Sequence, residues 1–196
     1  LKIYTTMDPR IQNVMDEVFT DDEYFPEVNQ TTKQHPQSAM VIMDPYTGEI
    51  RGMYGGYGEK TGNTLNRATQ SKRQPGSSFK PIAVYGPAID QRLITPSTVI
   101  DEVPVYMLGE DKERYPVNYS RNSYLGLTTI REGLYRSRNV IAAIVWKDIL
   151  GPDLSHEYLK KVGIDRSNER YVSIAMGGLS QGVSPMEMAS AYTAFA

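Results

Sequence analysis

The sequence predicts an α+β fold on three observations: one β-hairpin around a Pro/Gly turn, about six segments with helix start or stop signals, and long irregular connections between them. Leu1 to Thr5 has strand composition. Asp8 then Pro9 marks a helix start, a capping carboxylate followed by proline at the first helical position. Ile11, Val14, Met15 and Val18 share one face of that helix. Residues 20–37 are acidic and polar, carry Pro26 and Pro36, and read as a loop. Ser38 to Met43 and Glu49 to Tyr54 flank Asp44-Pro45-Tyr46-Thr47-Gly48 and predict the hairpin. Tyr57 to Gly76 is a long polar connection.

Ser77 to Asp90 reads as a helix with Gly76 just before it. Gln91 to Leu125 reads as irregular. Thr129-Ile130-Arg131-Glu132 has the form of a capping box opening a helix that pauses near Ser137. A helix resumes from Asn139 to Leu150 and stops at Gly151-Pro152. Leu154 to Val162 is a further helix, ended by Gly163. Ser184-Pro185-Met186-Glu187 is a second capping box and starts the last helix. A two-stranded hairpin is marginal alone, so these helices are expected to pack on a larger sheet whose remaining strands the sequence does not reveal.

Composition narrows the chemistry. The chain has 196 residues, 40% hydrophobic and 22% charged, as in ordinary globular proteins. Its net charge is -2 and no basic block occurs, which argues against nucleic acid as a partner. No apolar run approaches the roughly 20 residues that span a bilayer. With no cysteine, a disulfide framework, a thiolate metal site and a Cys nucleophile are excluded. His156-Glu157 has no second histidine at metal-site spacing, so no metal or cofactor is expected. The chemistry must run mainly on hydroxyls, amines, amides and carboxylates.

Ser77-Ser78-Phe79-Lys80 places a hydroxyl at a helix start and an amine three positions on, along the same face. A serine hydroxyl needs a base to become a nucleophile. A lysine serves only if its pKa falls from about 10.4 toward neutrality, as burial and a helix N-terminus both favour. The backbone N–H of Ser77 at that helix start is offered to a developing oxyanion. The plain alternative is a capping serine and a solvated lysine. Ser137-Arg138-Asn139, between two helical segments, offers a hydroxyl to relay a proton and an amide to hold a substrate amide. A helix cap is the plain reading there. A second copy, Ser120-Arg121-Asn122, has loop composition, and the Ser137 copy is favoured because helices brace it. Gly178-Leu179-Ser180-Gln181-Gly182 matches a nucleophile-elbow pattern, but no histidine follows it, so a glycine-rich turn is expected.

The run Asn66-Arg67-Ala68, then Arg73-Gln74-Pro75-Gly76-Ser77-Ser78-Phe79-Lys80-Pro81, resembles the active-site motif of class A high-molecular-weight penicillin-binding proteins. Tyr4-Thr5-Thr6-Met7-Asp8 with Ile11-Gln12, the Ala39 to Gly56 hairpin, Leu134 to Ile141 and Gly177 to Ala196 resemble further segments of their transpeptidase domain in the same order. The resemblance implies the penicillin-recognising serine transferase fold, β-lactamase/transpeptidase-like: an antiparallel sheet covered by helices, beside an all-helical subdomain. The expected division is strands, hairpin and Ser77 helix in 1–90, a mostly helical part in 91–174, and a helix leading back to the sheet in 175–196. The last strands are expected beyond this sequence, and the site in a cleft between sheet and helical part.

The resemblance also implies a D,D-transpeptidase that cross-links peptidoglycan stem peptides ending in D-Ala-D-Ala and is acylated by β-lactams. Ser77 would be the acylated nucleophile and Lys80 its base. Ser137 would pass a proton to the leaving amine, and Asn139 would bind the substrate amide and position Lys80. The family's third motif, K-T-G, is expected in the remaining C-terminal part of the domain, without which this chain would be inactive. Lys60-Thr61-Gly62 precedes Ser77, in the wrong order for that role. Glu157 and Glu169 lack the E-x-x-L-N context of a deacylating lactamase glutamate, which favours slow deacylation over a β-lactamase. A non-catalytic penicillin- or peptidoglycan-binding or sensor module of the same fold, or a β-lactamase or D,D-carboxypeptidase, remains the alternative. A glycosyltransferase domain and a membrane anchor, both outside this sequence, and a location on the outer face of the bacterial cell membrane complete the expectation.

Overall fold

The computed structural model describes residues 1–60, 62–108 and 113–196. In chain order the elements are α1 (Pro9–Thr20), β1 (Met40–Met43), β2 (Ile50–Tyr54), α2 (Arg67–Gln70), α3 (Gly86–Asp90), β3 (Val99–Glu102), β4 (Gly126–Thr129), α4 (Ile130–Tyr135), α5 (Asn139–Ile144), α6 (Pro152–Lys161) and α7 (Pro185–Tyr192), with 3-10 and π segments between them. The contacts divide the chain into two compact units, Leu1–Arg73 with Val183–Ala196, and Gln74–Gly182. Residues 74–90 thus group with the helices of the second unit.

In the first unit, β1 and β2 pair antiparallel with a register shift between Ile42 and Met43. The turn forms because Asp44 Oδ1 accepts the N–H groups of Tyr46 and Thr47 at 2.9 and 3.0 Å. Asp8 caps α1 by accepting Arg10 N–H at 2.9 Å, with Pro9 at the first position. Met15 and Phe19 of α1 pack on Tyr54 of β2, with Ile11, Val18, Phe25 and Ile42 around them. Gly52 permits that seating, since a Cβ there would lie 2.7 Å from Met15 Sδ. The Gln12 amide seals the outer edge of β2, donating to Met53 O at 3.2 Å and accepting from Met53 N at 3.1 Å.

The capping box of α7 is complete: Ser184 Oγ accepts Glu187 N–H at 3.1 Å and Glu187 Oε2 accepts Ser184 N–H at 2.7 Å. Lys72 adds an ion pair to Glu187 at 3.0 Å. The strand expected at Leu1–Thr5 does not form. Thr6 Oγ1 donates to Ile50 O, Asp8 N–H to Arg51 O and the Arg51 guanidinium to Thr6 O, but of these three bonds the Asp8 bond alone joins backbone to backbone, which is not a ladder. Two loops carry short helices not expected from their polar composition. One is a 3-10 turn at Asp22–Tyr24; the other is α2, whose Asn66 side chain accepts Ala68 N–H at 3.0 Å.

The second unit holds most of the buried apolar residues, including Phe79, Ile82, Val84, Ile141, Trp146, Leu159 and Ile174. The stretch expected to be irregular contains β3, which pairs antiparallel with β4. Its alternating burial was hidden by Asp101 and Glu102, and its partner follows only after residues 103–125. The helix predicted from Ser77 forms with three hydrogen-bond spacings in turn: 3-10 over Gly76–Phe79, π over Pro81–Tyr85, then α3. Its prolines explain the changes. Pro81 has no N–H for Ser77 O, which instead accepts Lys80 N–H. Pro87 leaves Ala83 O without its helical donor, and Ser155 Oγ of α6 donates there at 2.7 Å. Ser155 Oγ in turn accepts Trp146 Nε1–H at 2.9 Å. At Thr129 only half of the capping box forms: Thr129 Oγ1 accepts Glu132 N–H at 3.2 Å, while the Glu132 carboxylate pairs with Arg136.

Candidate functional site

All four candidate residues lie in the second unit. Ser77 sits in the 3-10 turn that opens its helix, where backbone N–H groups lack intrahelical acceptors. In a 3-10 turn positions i and i+3 eclipse, so Ser77 and Lys80 lie one above the other. Ser77 is exposed; Lys80 is 1% exposed. The approach to Ser77 depends on glycine. Gly76 (φ +59°) turns the chain into the helix, and Gly177 (φ +74°) abuts it so closely that a Cβ would lie 2.2 Å from Gly76 O. Beside them a cavity of about 260 Å³ is lined by Gln74, Gly76, Pro116, Asn139 and Gly177 among others. Larger depressions of about 590 and 560 Å³ are lined wholly by residues of the first unit and contain none of the four.

The Lys80 amine donates to Ser137 O at 2.7 Å, Ser137 Oγ at 3.2 Å and Asn139 Oδ1 at 2.8 Å. Ser77 Oγ is not among these partners, so the direct Lys80–Ser77 contact expected from the spacing is not made in this state. Three acceptors suit the three protons of an ammonium. Burial, seconded by the positive charge of Arg138, lowers the pKa of Lys80 to about 8. Neutral amine is thus accessible near physiological pH, though the ammonium still predominates at pH 7.

Ser137 reaches Lys80 through an unusual backbone. It ends α4 in a Schellman arrangement, with Ser137 N–H donating to Leu134 O at 3.0 Å and Arg138 N–H to Gly133 O at 2.8 Å. Ser137 has φ +54°, a left-handed position normally given to glycine. Retaining a side chain there supplies the hydroxyl that faces Lys80. Asn139 opens α5, and its Nδ2 donates to Val117 O at 2.9 Å, which fixes the amide with its oxygen toward Lys80.

The other candidates stand apart. Ser120, Arg121 and Asn122 are exposed in a turn. Ser180 donates to buried Glu169 at 2.6 Å, and its N–H donates to the same carboxylate at 2.9 Å, which ties up the elbow-like serine and that glutamate together. Glu157 is exposed and paired with Lys161 at 2.8 Å. Lys60 is held by Gly56 O at 2.6 Å, Gly62 has φ +72°, and Thr61 lies outside the described residues. Among the described residues no group of three or more His, Cys, Asp or Glu side chains is arranged to hold a metal ion.

Reasoning from sequence overlooked Glu102, Asn118 and the Arg between Ser137 and Asn139. Glu102 and Arg138 form a buried ion pair with Nε to Oε1 at 2.7 Å. Asn118 Oδ1 accepts Asn139 N–H at 2.9 Å. The available signal was a carboxylate at an inward position of a short strand, where an apolar residue belongs.

The penicillin binding protein transpeptidase domain family matches residues 38–196. The chain belongs to that family. Penicillin-binding protein 1A of Clostridium botulinum is 34% identical over all of this chain and 24% of its own length. Penicillin-binding protein 1A of Pseudomonas aeruginosa is 39% identical over 82% of this chain and 19% of its own length. The chain therefore spans about a quarter or less of these transpeptidase-domain relatives. Among solved structures, penicillin-binding protein 1A of Haemophilus influenzae superposes with a TM-score of 0.71 at 32% identity, covering 83% of this chain and 24% of that one. PonA1 of Mycobacterium tuberculosis in complex with penicillin V has a TM-score of 0.74 over 98% of this chain and 50% of that one; at 24% identity the likeness is one of fold. The expected penicillin-binding protein fold is thereby established: mixed α+β, with helices and short antiparallel sheets.

Proposed function

We propose that this chain carries the acylating part of a peptidoglycan D,D-transpeptidase. The observation that carries the reading is the Lys80 amine, buried one 3-10 turn after Ser77 and held by Ser137 and Asn139. A stem peptide ending in D-Ala-D-Ala binds with its penultimate carbonyl over Ser77. Lys80, once deprotonated, turns from one of its acceptors to Ser77 Oγ and takes its proton as Oγ attacks; such contacts often tighten only with substrate present. The tetrahedral oxyanion faces the Ser77 N–H. The proton passes from Lys80 through Ser137 Oγ to the departing D-Ala nitrogen as the C–N bond breaks, leaving an ester on Ser77. An amine of a second stem attacks that ester, and the proton path runs in reverse. Asn139 Nδ2, now on Val117 O, is placed to exchange this bond for the substrate amide.

By the family pattern, a K-T-G strand following the α7 region supplies the carboxylate-binding groups and the second oxyanion N–H, so residues 1–196 alone take no label from penicillin. The site works on the outer face of the bacterial cytoplasmic membrane; among the described residues no helix is long and apolar enough to cross a membrane. Incubating the intact protein with fluorescent penicillin tests the reading. A label that persists for many minutes and is lost in Ser77→Ala is expected. Labelling that survives Ser77→Ala, or that is shed within seconds, overturns it.

A further inference from the structure

The Ser137-Arg138-Asn139 segment rests on a buried polar cluster that no step of the acylation uses. Glu102 on β3 is fully buried, at 0% exposure. Its Oε1 accepts Asn118 Nδ2–H at 3.0 Å and Arg138 Nε–H at 2.7 Å; its Oε2 accepts Leu125 N–H at 2.9 Å and Arg138 Nε–H at 3.0 Å. Both Asn118 Nδ2 and Arg138 Nη2 also donate to Ser123 O. Arg138 occupies the N-cap of α5 but cannot accept a hydrogen bond, and it makes no side-chain cap. Asn118 does that work from another segment: its Oδ1 accepts the N–H groups of Asn139 and Val140 at 2.9 and 3.3 Å. One carboxylate therefore orients both the residue that caps α5 and the residue that links Ser137 to Asn139.

We propose that Glu102, Asn118 and Arg138 are positioning residues that hold Ser137 and Asn139 against Lys80, and that Glu102 sets how strongly the Arg138 charge acts on the Lys80 amine. The inference rests on the acylation chemistry of the preceding subsection for its purpose, though not for its measurement. Among the described residues, the charged and titratable groups that act on one another here are Lys80 and Tyr85 on the Ser77 helix, Arg138 between α4 and α5, and Glu102 on β3; Tyr115 lines the cavity beside Asn139, and Tyr124 lies between Ser123 and Leu125. Arg138 repels the ammonium of Lys80, and Glu102 is ion-paired to the same guanidinium at 2.7 Å. Tyr85 lies within the influence of Glu102, its hydroxyl buried and protonated. A guanidinium suits this place because it is always charged and forks to several acceptors at once.

The cluster separates charge from scaffolding. Glu102→Gln leaves the Arg138 charge uncompensated, so Lys80 should lose its proton about one pH unit lower. Arg138→Gln removes the repulsion and should move the midpoint up by about the same amount, with the double variant between the two. A role in packing alone would slow acylation in every variant without opposite movements. Arg138→Lys keeps the charge but loses the fork, so the midpoint should stay while the acylation rate falls roughly tenfold or more.

The test is a 13Cε titration of Lys80 in the intact protein, read by NMR on folded molecules and needing no turnover, beside the pH profile of penicillin acylation. Opposite midpoint shifts in the two single variants support the proposal. An unmoved midpoint, or movement in the same direction, in the charge-changing variants that fold overturns it. Should either single variant not fold, the other decides, and the double variant, which leaves no unpaired charge, checks it. Failure of the acylation reading is distinct: the wild-type protein would then take no Ser77-dependent label, whatever the Lys80 titration shows.

Discussion

The tripeptide Ser-Arg-Asn occurs twice within the second unit, and the two copies share nothing but sequence. At 120–122 all three residues are exposed in a turn. At 137–139 the same residues lie between α4 and α5: the serine is held at φ +54°, the arginine is buried on Glu102, and the asparagine is pinned by Val117 O. Side-chain chemistry is identical, so any difference in behaviour must come from backbone placement and from partners elsewhere in the chain.

The largest separation is expected in acylation. Ser137→Ala should slow acylation of the intact protein by penicillin about 10²–10⁴-fold, the range for loss of a positioned proton-transfer group. Ser120→Ala should leave the rate unchanged, and an equal loss in both would dissolve the comparison. In stability, Arg138→Met strands the Glu102 carboxylate and should cost about 3–5 kcal/mol in urea unfolding. Arg121→Ala should fall within about 0.5 kcal/mol of wild type.

The pH profile sharpens the account of the first copy. Lys80 acts as a base only when neutral, and its pKa is lowered to about 8. The acylation rate should therefore rise with pH and level off above that value. At pH 6, two units below it, roughly one hundredth of the plateau remains. A rate flat from pH 6 to 9 would remove Lys80 from the base's role. The smallest effect is the most diagnostic of backbone placement. Ser137→Gly relieves the left-handed conformation and should raise stability by about 1 kcal/mol while lowering activity as far as Ser137→Ala does. A destabilised glycine variant would mean that the hydroxyl, not the backbone, ends α4 there.

Local chemistry was largely legible in the sequence where it was complete within a few residues, the exception being the Thr129 box, whose Glu132 carboxylate turns to Arg136 instead. Asp8-Pro9, the Asp44 turn and the Ser184 box each contain both partners of their hydrogen bonds, and each formed as expected. Features whose second half lies far along the chain were not legible. β3 pairs with β4 across residues 103–125, and Asn118 caps a helix that begins at Asn139. The helix from Ser77 was read correctly as a helix, but its changes of spacing follow from Pro81 and Pro87 together with a donor on α6. Spacing put Ser77 and Lys80 one helical turn apart, as they are. What spacing does not contain is the set of acceptors on Ser137 and Asn139 that draws the amine away from Ser77 in this state.

Pro87 has one more consequence. The carbonyl it leaves open at Ala83 is joined through Ser155 to the indole of Trp146, the single tryptophan of this chain. That ring is 1% exposed, and its emission senses whether the indole N–H keeps its partner. The chain thus carries an intrinsic optical probe wired to the helix that bears Ser77, able to register a shift of that helix without any added dye.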